Sequence, residues 1–160
     1  MVELAPIDSA LVDAFWERAA ARGVVAVGTA LPSSVEQFGD SKELADELIA
    51  LVLAGTKRAT AAAVVEFERA GESIPEPGGL WIACDGSGIP RALLRTTEVR
   101  VGPLSSVDQA FAWDEGEGDR TRHWWFDAHE RFFRRFLPTI GETFSADLPT
   151  VFERFEVLFA

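Results

Sequence analysis

Apolar residues recur at helical spacing in three stretches of the chain. Val12, Phe15 and Ala19 form one stripe, predicting a helix over 9–22 with Asp8 or Ser9 as N-cap and Gly23 as the stop. Residues 24–32 then read as a connector. Leu44, Leu48, Leu51 and Val52 form a second stripe running to Ala54, opened by Asp40 or Ser41, with Asp40 and Glu43 at capping-box spacing, and closed by Gly55. The third begins at Asp119 as cap and repeats Trp125, Ala128, Phe132 and Phe136 before stopping near Leu137-Pro138. Between and after the helices the period shortens. Ala59 to Val65 is a small-residue run suited to a strand, with a turn to helix possible at Glu66. Leu80 to Cys84 and Ile89 to Leu94 flank Asp85-Gly86-Ser87-Gly88 as a hairpin, and 96–101 alternates Thr97, Val99 and Val101 against Thr96, Glu98 and Arg100. A last strand covers 151–159. Val107, Ala110 and Phe111 suggest a short helix leading into the acidic, glycine-broken segment 114–119, which reads as irregular. Strands bracketed by helices, without βαβ alternation, indicate an α+β fold whose sheet is mixed and curls toward a barrel.

Length and charge narrow the reading. The chain has 160 residues, 48% of them hydrophobic, which suits one globular domain with a real core; twelve Phe and five Trp with no Tyr make that core aromatic. The formal net charge of -11 argues against unspecific binding of nucleic acid, and double-stranded DNA is not an expected partner. Cys84 is the only cysteine and lies in an apolar run, so it reads as a buried strand residue. With no apolar run of about 18 residues and no signal-peptide pattern, a cytoplasmic protein without a membrane partner is expected.

Candidate chemistry is concentrated in two places. Gly55-Thr56-Lys57-Arg58-Ala59-Thr60 joins the second helix to a strand and delivers a lysine with a threonine three positions on. Burial would lower the pKa of Lys57 and let it act as a base, with Thr60 in reach. The alternative is that Gly55 caps the helix while Lys57 and Arg58 complement its dipole. The segment Asp114-Glu115-Gly116-Glu117-Gly118-Asp119 offers Glu117, a carboxylate between two glycines; the alternative is a solvated loop before a helix N-terminus. Trp113 and Trp124 flank that loop and could stack on a flat ligand, although packing is the commoner role of tryptophan. His123 and His129 are six apart and cannot form an i, i+4 zinc pair, so no metal is expected and each reads as a surface or packing residue. No serine stands in the Gly-x-Ser-x-Gly context, EF-hand spacing is lacking, and there is no Gly-rich phosphate loop.

Taken in order, Phe38-Gly39-Asp40-Ser41, Glu43 to Leu48, Leu53 to Thr60, Arg95 to Val99, Glu115 to Arg120 and His129 to Phe133 resemble bacterial ASCH-domain proteins. The resemblance implies a PUA-like small mixed β-barrel with flanking helices, occupying 36–160, with 1–35 as an N-terminal helical extension packed on it. It also implies function. Some small members are amidohydrolases that deacylate N(4)-acetylcytidine with a lysine and threonine of a Gly-x-Lys-x-x-Thr element and a later glutamate, which map to Lys57, Thr60 and Glu117, with Glu115 two residues away. Others are associated with RNA binding or single-stranded ribonuclease activity. The expected ligand is therefore a nucleoside-like small molecule or single-stranded RNA, with no cofactor and no metal. In the hydrolytic version Lys57 takes a proton from Thr60 or a water, Glu117 helps the amine leave, and turn amides after Gly55 supply oxyanion donors. Arg58, Arg95, Trp113 and Trp124 are the candidate substrate contacts.

Overall fold

The structure, a computed structural model, describes residues 2–160. Five strands form one mixed sheet in the order β1-β3-β4-β5-β2, where β1 is Val35–Gln37, β2 Ala59–Ala63, β3 Leu80–Cys84, β4 Pro90–Pro103 and β5 Pro149–Phe159. The helices are α1 Ser9–Ala21, α2 Lys42–Leu53, α3 Val64–Ala70, α4 Gln109–Glu115 and α5 Arg122–Phe136. This is the expected α+β class. The chain divides into two compact units, 1–55 with 78–96 and 155–160, and 56–77 with 97–154.

In the first unit β1 runs parallel to β3, with Val35 opposite Ile82, and β3 pairs antiparallel with the start of β4 from Leu80↔Arg95 to Cys84↔Pro90. The period of two sends alternate β3 side chains to opposite faces. Trp81 and Ala83 pack with Leu48, Ile49 and Val52 of α2, while Ile82 and Cys84 pack with Val12, Phe15 and Trp16 of α1. A strand buried on both faces reads as an unbroken apolar run, as Leu80 to Cys84 does. Cys84 is fully buried, which pushes its thiol up to about 11. Helix α1 starts one residue after Asp8, whose carboxylate accepts from the Leu11 amide. For α2 the cap is Ser41, accepting from the Leu44 amide, so the Asp40 capping box does not form. Strand β1 lies between the expected connector, 24–32, and the second helix, in a stretch for which no element was expected: three residues carry no usable alternation, and the pairing with β3 makes them a strand.

In the second unit β2 pairs antiparallel with β5 from Ala59↔Arg154 to Ala63↔Thr150. Its core joins Ala59 and Ala63 with Leu104, Val107, Phe111, Trp125, Phe133, Leu137 and Phe152. Small residues on β2 let the aromatic side chains come close to the backbone. Four expectations change here. The strand from Ala59 stops at Ala63 because α3 begins at Val64. Helix α4 extends through Asp114 and Glu115, so the first third of the acidic segment is helical, and Gly116 ends it in the left-handed region at φ 74°. Thr121 rather than Asp119 caps α5; Asp119 instead accepts from the Thr121 amide at 2.9 Å. The buried stripe of α5 is Trp125 and Phe133, continued by Leu137, one position out of step with Ala128, Phe132 and Phe136.

Candidate active site

Lys57 enters the second unit on the approach to β2 and is 1% exposed, an unusual place for an ammonium. Its Nζ donates to Glu117 Oε2 at 3.0 Å and to Glu115 Oε1 at 3.3 Å. Glu115 is the last residue of α4 and Glu117 follows its glycine cap, so the two carboxylates leave the helix end toward one lysine. Close backbone approach makes this possible: a Cβ on Gly116 would lie 2.4 Å from the Thr56 carbonyl oxygen. Arg58 continues the contact, its amide donating to the Asp114 carbonyl at 2.7 Å and its guanidinium to Asp114 Oδ1 at 2.9 Å. Asp114 Oδ2 also accepts from Arg154 Nε at 2.9 Å.

Glu115 is as buried as the lysine. Its Oε2 accepts from the Trp125 indole Nε1, and its Oε1 also lies 3.4 Å from His129 Nε2. His129 stacks on Trp125 with ring centroids 3.7 Å apart, and its Nδ1 is 2.8 Å from the Trp125 carbonyl oxygen. The polar cluster is therefore Lys57, Glu115, Glu117 and His129. Sequence reasoning took His129 for a surface or packing residue. Its i, i+4 relation to both Trp125 and Phe133 on the buried face of α5 was the available signal.

The charges set one another. Burial alone would pull the Lys57 pKa down, but the charges of Glu117 and Glu115 and their hydrogen bonds outweigh it, and the pKa is raised. The expected lowered lysine is thus corrected: Lys57 rests as an ammonium. Burial would raise Glu115, yet the charges of His129 and Lys57 hold it below its usual range. Glu117 goes the other way, raised by burial and by the Glu115 charge against the pull of Lys57. Burial lowers His129 less than Glu115 raises it, so the imidazole is shifted up. The ligand-capable atoms of Glu115, Glu117 and His129 lie within 4.8 Å of one another, a spacing a metal ion can use, but the Lys57 ammonium already bridges the two carboxylates.

A family model described as the ASCH domain matches residues 34–159. The chain belongs to the ASCH-domain family. Among solved structures, a protein of Enterococcus faecalis V583, titled with the family model DUF984, is 32% identical with a TM-score of 0.84, covering 94% of this chain and 89% of its own. An ASCH domain from Lactobacillus crispatus JV V101 is 28% identical with a TM-score of 0.83, covering 96% of this chain and 97% of its own. No curated protein matches. This ASCH chain therefore has the fold that its motifs imply.

Of the residues that the motifs single out, Lys57 and Glu117 are brought into contact. Glu115 joins them, so the lysine uses both carboxylates rather than choosing between them; Glu117 is the more open, at 15% side-chain exposure against 2%. Thr60 is half-buried on β2, opposite Glu153 in the β5 register. Trp113 is half-exposed, with the Arg120 guanidinium 3.8 Å from its ring centroid. Trp124 covers Gly118, where a Cβ would come within 2.1 Å of the indole. Arg95 belongs to the first unit and is paired with Glu156. The Arg58 amide, one of the proposed oxyanion donors, is committed to the Asp114 carbonyl.

Proposed function

We propose that Lys57, Thr60 and Glu117 form the metal-independent hydrolytic centre of an amidohydrolase acting on acylated nucleosides of the N(4)-acetylcytidine type. The observation that carries this reading is the 3.0 Å contact between the buried Lys57 ammonium and Glu117. A lysine that rests protonated cannot be a base until it gives up a proton, and a carboxylate with a raised pKa at hydrogen-bond distance is the acceptor for it. Passing that proton to Glu117 leaves a neutral amine at Lys57. The Thr60 hydroxyl then attacks the acyl carbon while its proton moves to Lys57, and the tetrahedral intermediate collapses as Glu117 protonates the departing cytidine nitrogen. Water hydrolyses the resulting ester by the reverse proton path. Arg58, Trp113 and Trp124 are the ligand contacts in this reading.

The test is release of cytidine and acetate from N(4)-acetylcytidine, followed chromatographically. Turnover by the native protein, falling by about 100-fold or more in Glu117→Gln and in Thr60→Val, is expected from losing a proton carrier or a nucleophile. Undiminished activity in Glu117→Gln overturns the residue assignment, and no turnover by the native protein overturns the substrate class. A single-stranded RNA ligand is the second reading, supported by the half-exposed Trp113 beneath Arg120. It predicts binding that weakens with salt and in Trp113→Ala.

A further inference from the structure

His129 has no part in the proton path just described, yet the same oxygen that holds Lys57 also faces its ring. Glu115 Oε1 lies 3.3 Å from Lys57 Nζ and 3.4 Å from His129 Nε2. At the other side of the ring, Nδ1 is 2.8 Å from the Trp125 carbonyl oxygen, a group that only accepts, so Nδ1 carries a hydrogen. The neutral ring would then turn the lone pair of Nε2 toward a carboxylate oxygen, setting two acceptors face to face. An imidazolium turns an N–H there instead. The ring is held in this pose by stacking on Trp125 at an interplanar angle of 15° and by Phe133 at 6.4 Å between centroids.

The groups around it account for its charge. Glu115 faces the ring from α4, Glu117 acts on it from the following loop, and Lys57 reaches the shared carboxylate from the approach to β2. β5 contributes Phe152, an uncharged ring stacked at 6.1 Å from Trp125. Two cations and two carboxylates balance when all four are ionised. Losing the imidazolium proton leaves one negative charge in excess, and Glu117, which burial and the facing Glu115 charge already dispose to hold a proton, is the carboxylate that answers by taking one up.

We propose that His129 is a positioning residue of this site, acting through Glu115 to hold the Lys57 ammonium in place and to keep Glu117 available for proton exchange. The catalytic consequence rests on the hydrolytic reading above; the charge coupling rests on geometry alone. Nitrogen NMR of the native protein at neutral pH should show a charged His129 ring with Nδ1 hydrogen-bonded, and a neutral ring with its proton on Nε2 would overturn the proposal. In His129→Gln the Glu117 carboxyl, followed by carbon NMR, should titrate at higher pH than in the native protein, because a neighbouring positive charge is gone. A Glu117 titration that does not move sinks the coupling. Should that variant fail to fold, Glu115→Gln reads the same link from the other end, with the His129 titration falling; an unmoved His129 titration overturns it. On N(4)-acetylcytidine, His129→Gln should move the acid limb of the kcat/KM profile upward, whereas a packing residue would lower Tm and leave the limb in place. Absence of turnover in the native protein removes the hydrolytic reading and leaves the titrations as the measure of this one.

Discussion

Lys57 keeps its proton because two carboxylates lie within 3.3 Å of a group that is almost wholly out of water. Taking an ion out of water costs several kcal/mol, and the attraction of its partners offsets that only while all of them remain. Lys57→Ala is for this reason a poor test of catalysis, since it leaves Glu115 and Glu117 buried with one cation fewer. Lys57→Met, which keeps most of the volume, should lower the unfolding free energy by about 3–5 kcal/mol, the range for breaking a buried pair from one side. Adding Glu117→Gln to it should restore part of the loss, because an amide needs no counter-charge. Urea denaturation of the two variants measures both, and a Lys57→Met protein as stable as the native one would show that the ammonium contributes nothing.

The turn between α4 and α5 is where local chain geometry makes the site. Gly116 and Gly55 share nearly the same left-handed backbone, φ 74° and 80°, but a Cβ at Gly55 would meet nothing within 4 Å whereas one at Gly116 would strike the Thr56 carbonyl. Gly55→Ala should therefore cost about 1–3 kcal/mol of backbone strain, and Gly116→Ala clearly more, with loss of the Lys57–Glu117 contact. Equal costs in denaturation would mean that the close approach of Thr56 to α4 carries no energy. Much of the element pattern could be read from the chain: all three long-helix caps fall within two residues of those expected, and Asp85 to Gly88 turns the hairpin between β3 and β4. What could not be read depended on partners far away in sequence. β1 is three residues defined by pairing with β3, and Glu115 became helical because Phe111 and Ala112 are buried on α4. Lys57 and Glu117, which lie in contact, were singled out by their motifs, but the raised lysine was not legible, since its cause lies 58 and 60 residues away. His129 was missed because the stripe on α5 was read one position out of step.

For the molecule as a whole, the buried cluster gives stability a dependence on pH that can be worked out by sign. Glu115 is lowered, so its contribution is complete above its ordinary 4.5 and is lost as pH falls through the folded value. His129 is raised, so its contribution is complete below 6.5 and is lost as pH rises through the folded value. Lys57, also raised, gives up its share only in strong alkali, beyond 10.5. Glu117 opposes Glu115, disfavouring the folded state increasingly as pH rises from 4.5 toward its folded value. The net charge of -11 adds self-repulsion that relaxes toward the pI near 4.6. Tm should accordingly rise on going from about pH 8 to about pH 5.5, and His129→Gln should flatten that rise. A melting temperature that increases toward alkaline pH would contradict the assignment of these charges.

Cys84 gives such experiments a probe that requires no engineering. It is the chain's only thiol, sealed between α1 and the sheet, with its ionisation pushed up to about 11. Reaction with a thiol reagent needs both exposure and a thiolate, so modification near neutral pH records how often this unit opens. The reaction is a clock for the first unit, while the ionic cluster belongs to the second. Comparing its rate with the exchange of the Trp125 indole N–H, followed by NMR, therefore asks of the native protein whether the two units open in one event or in two.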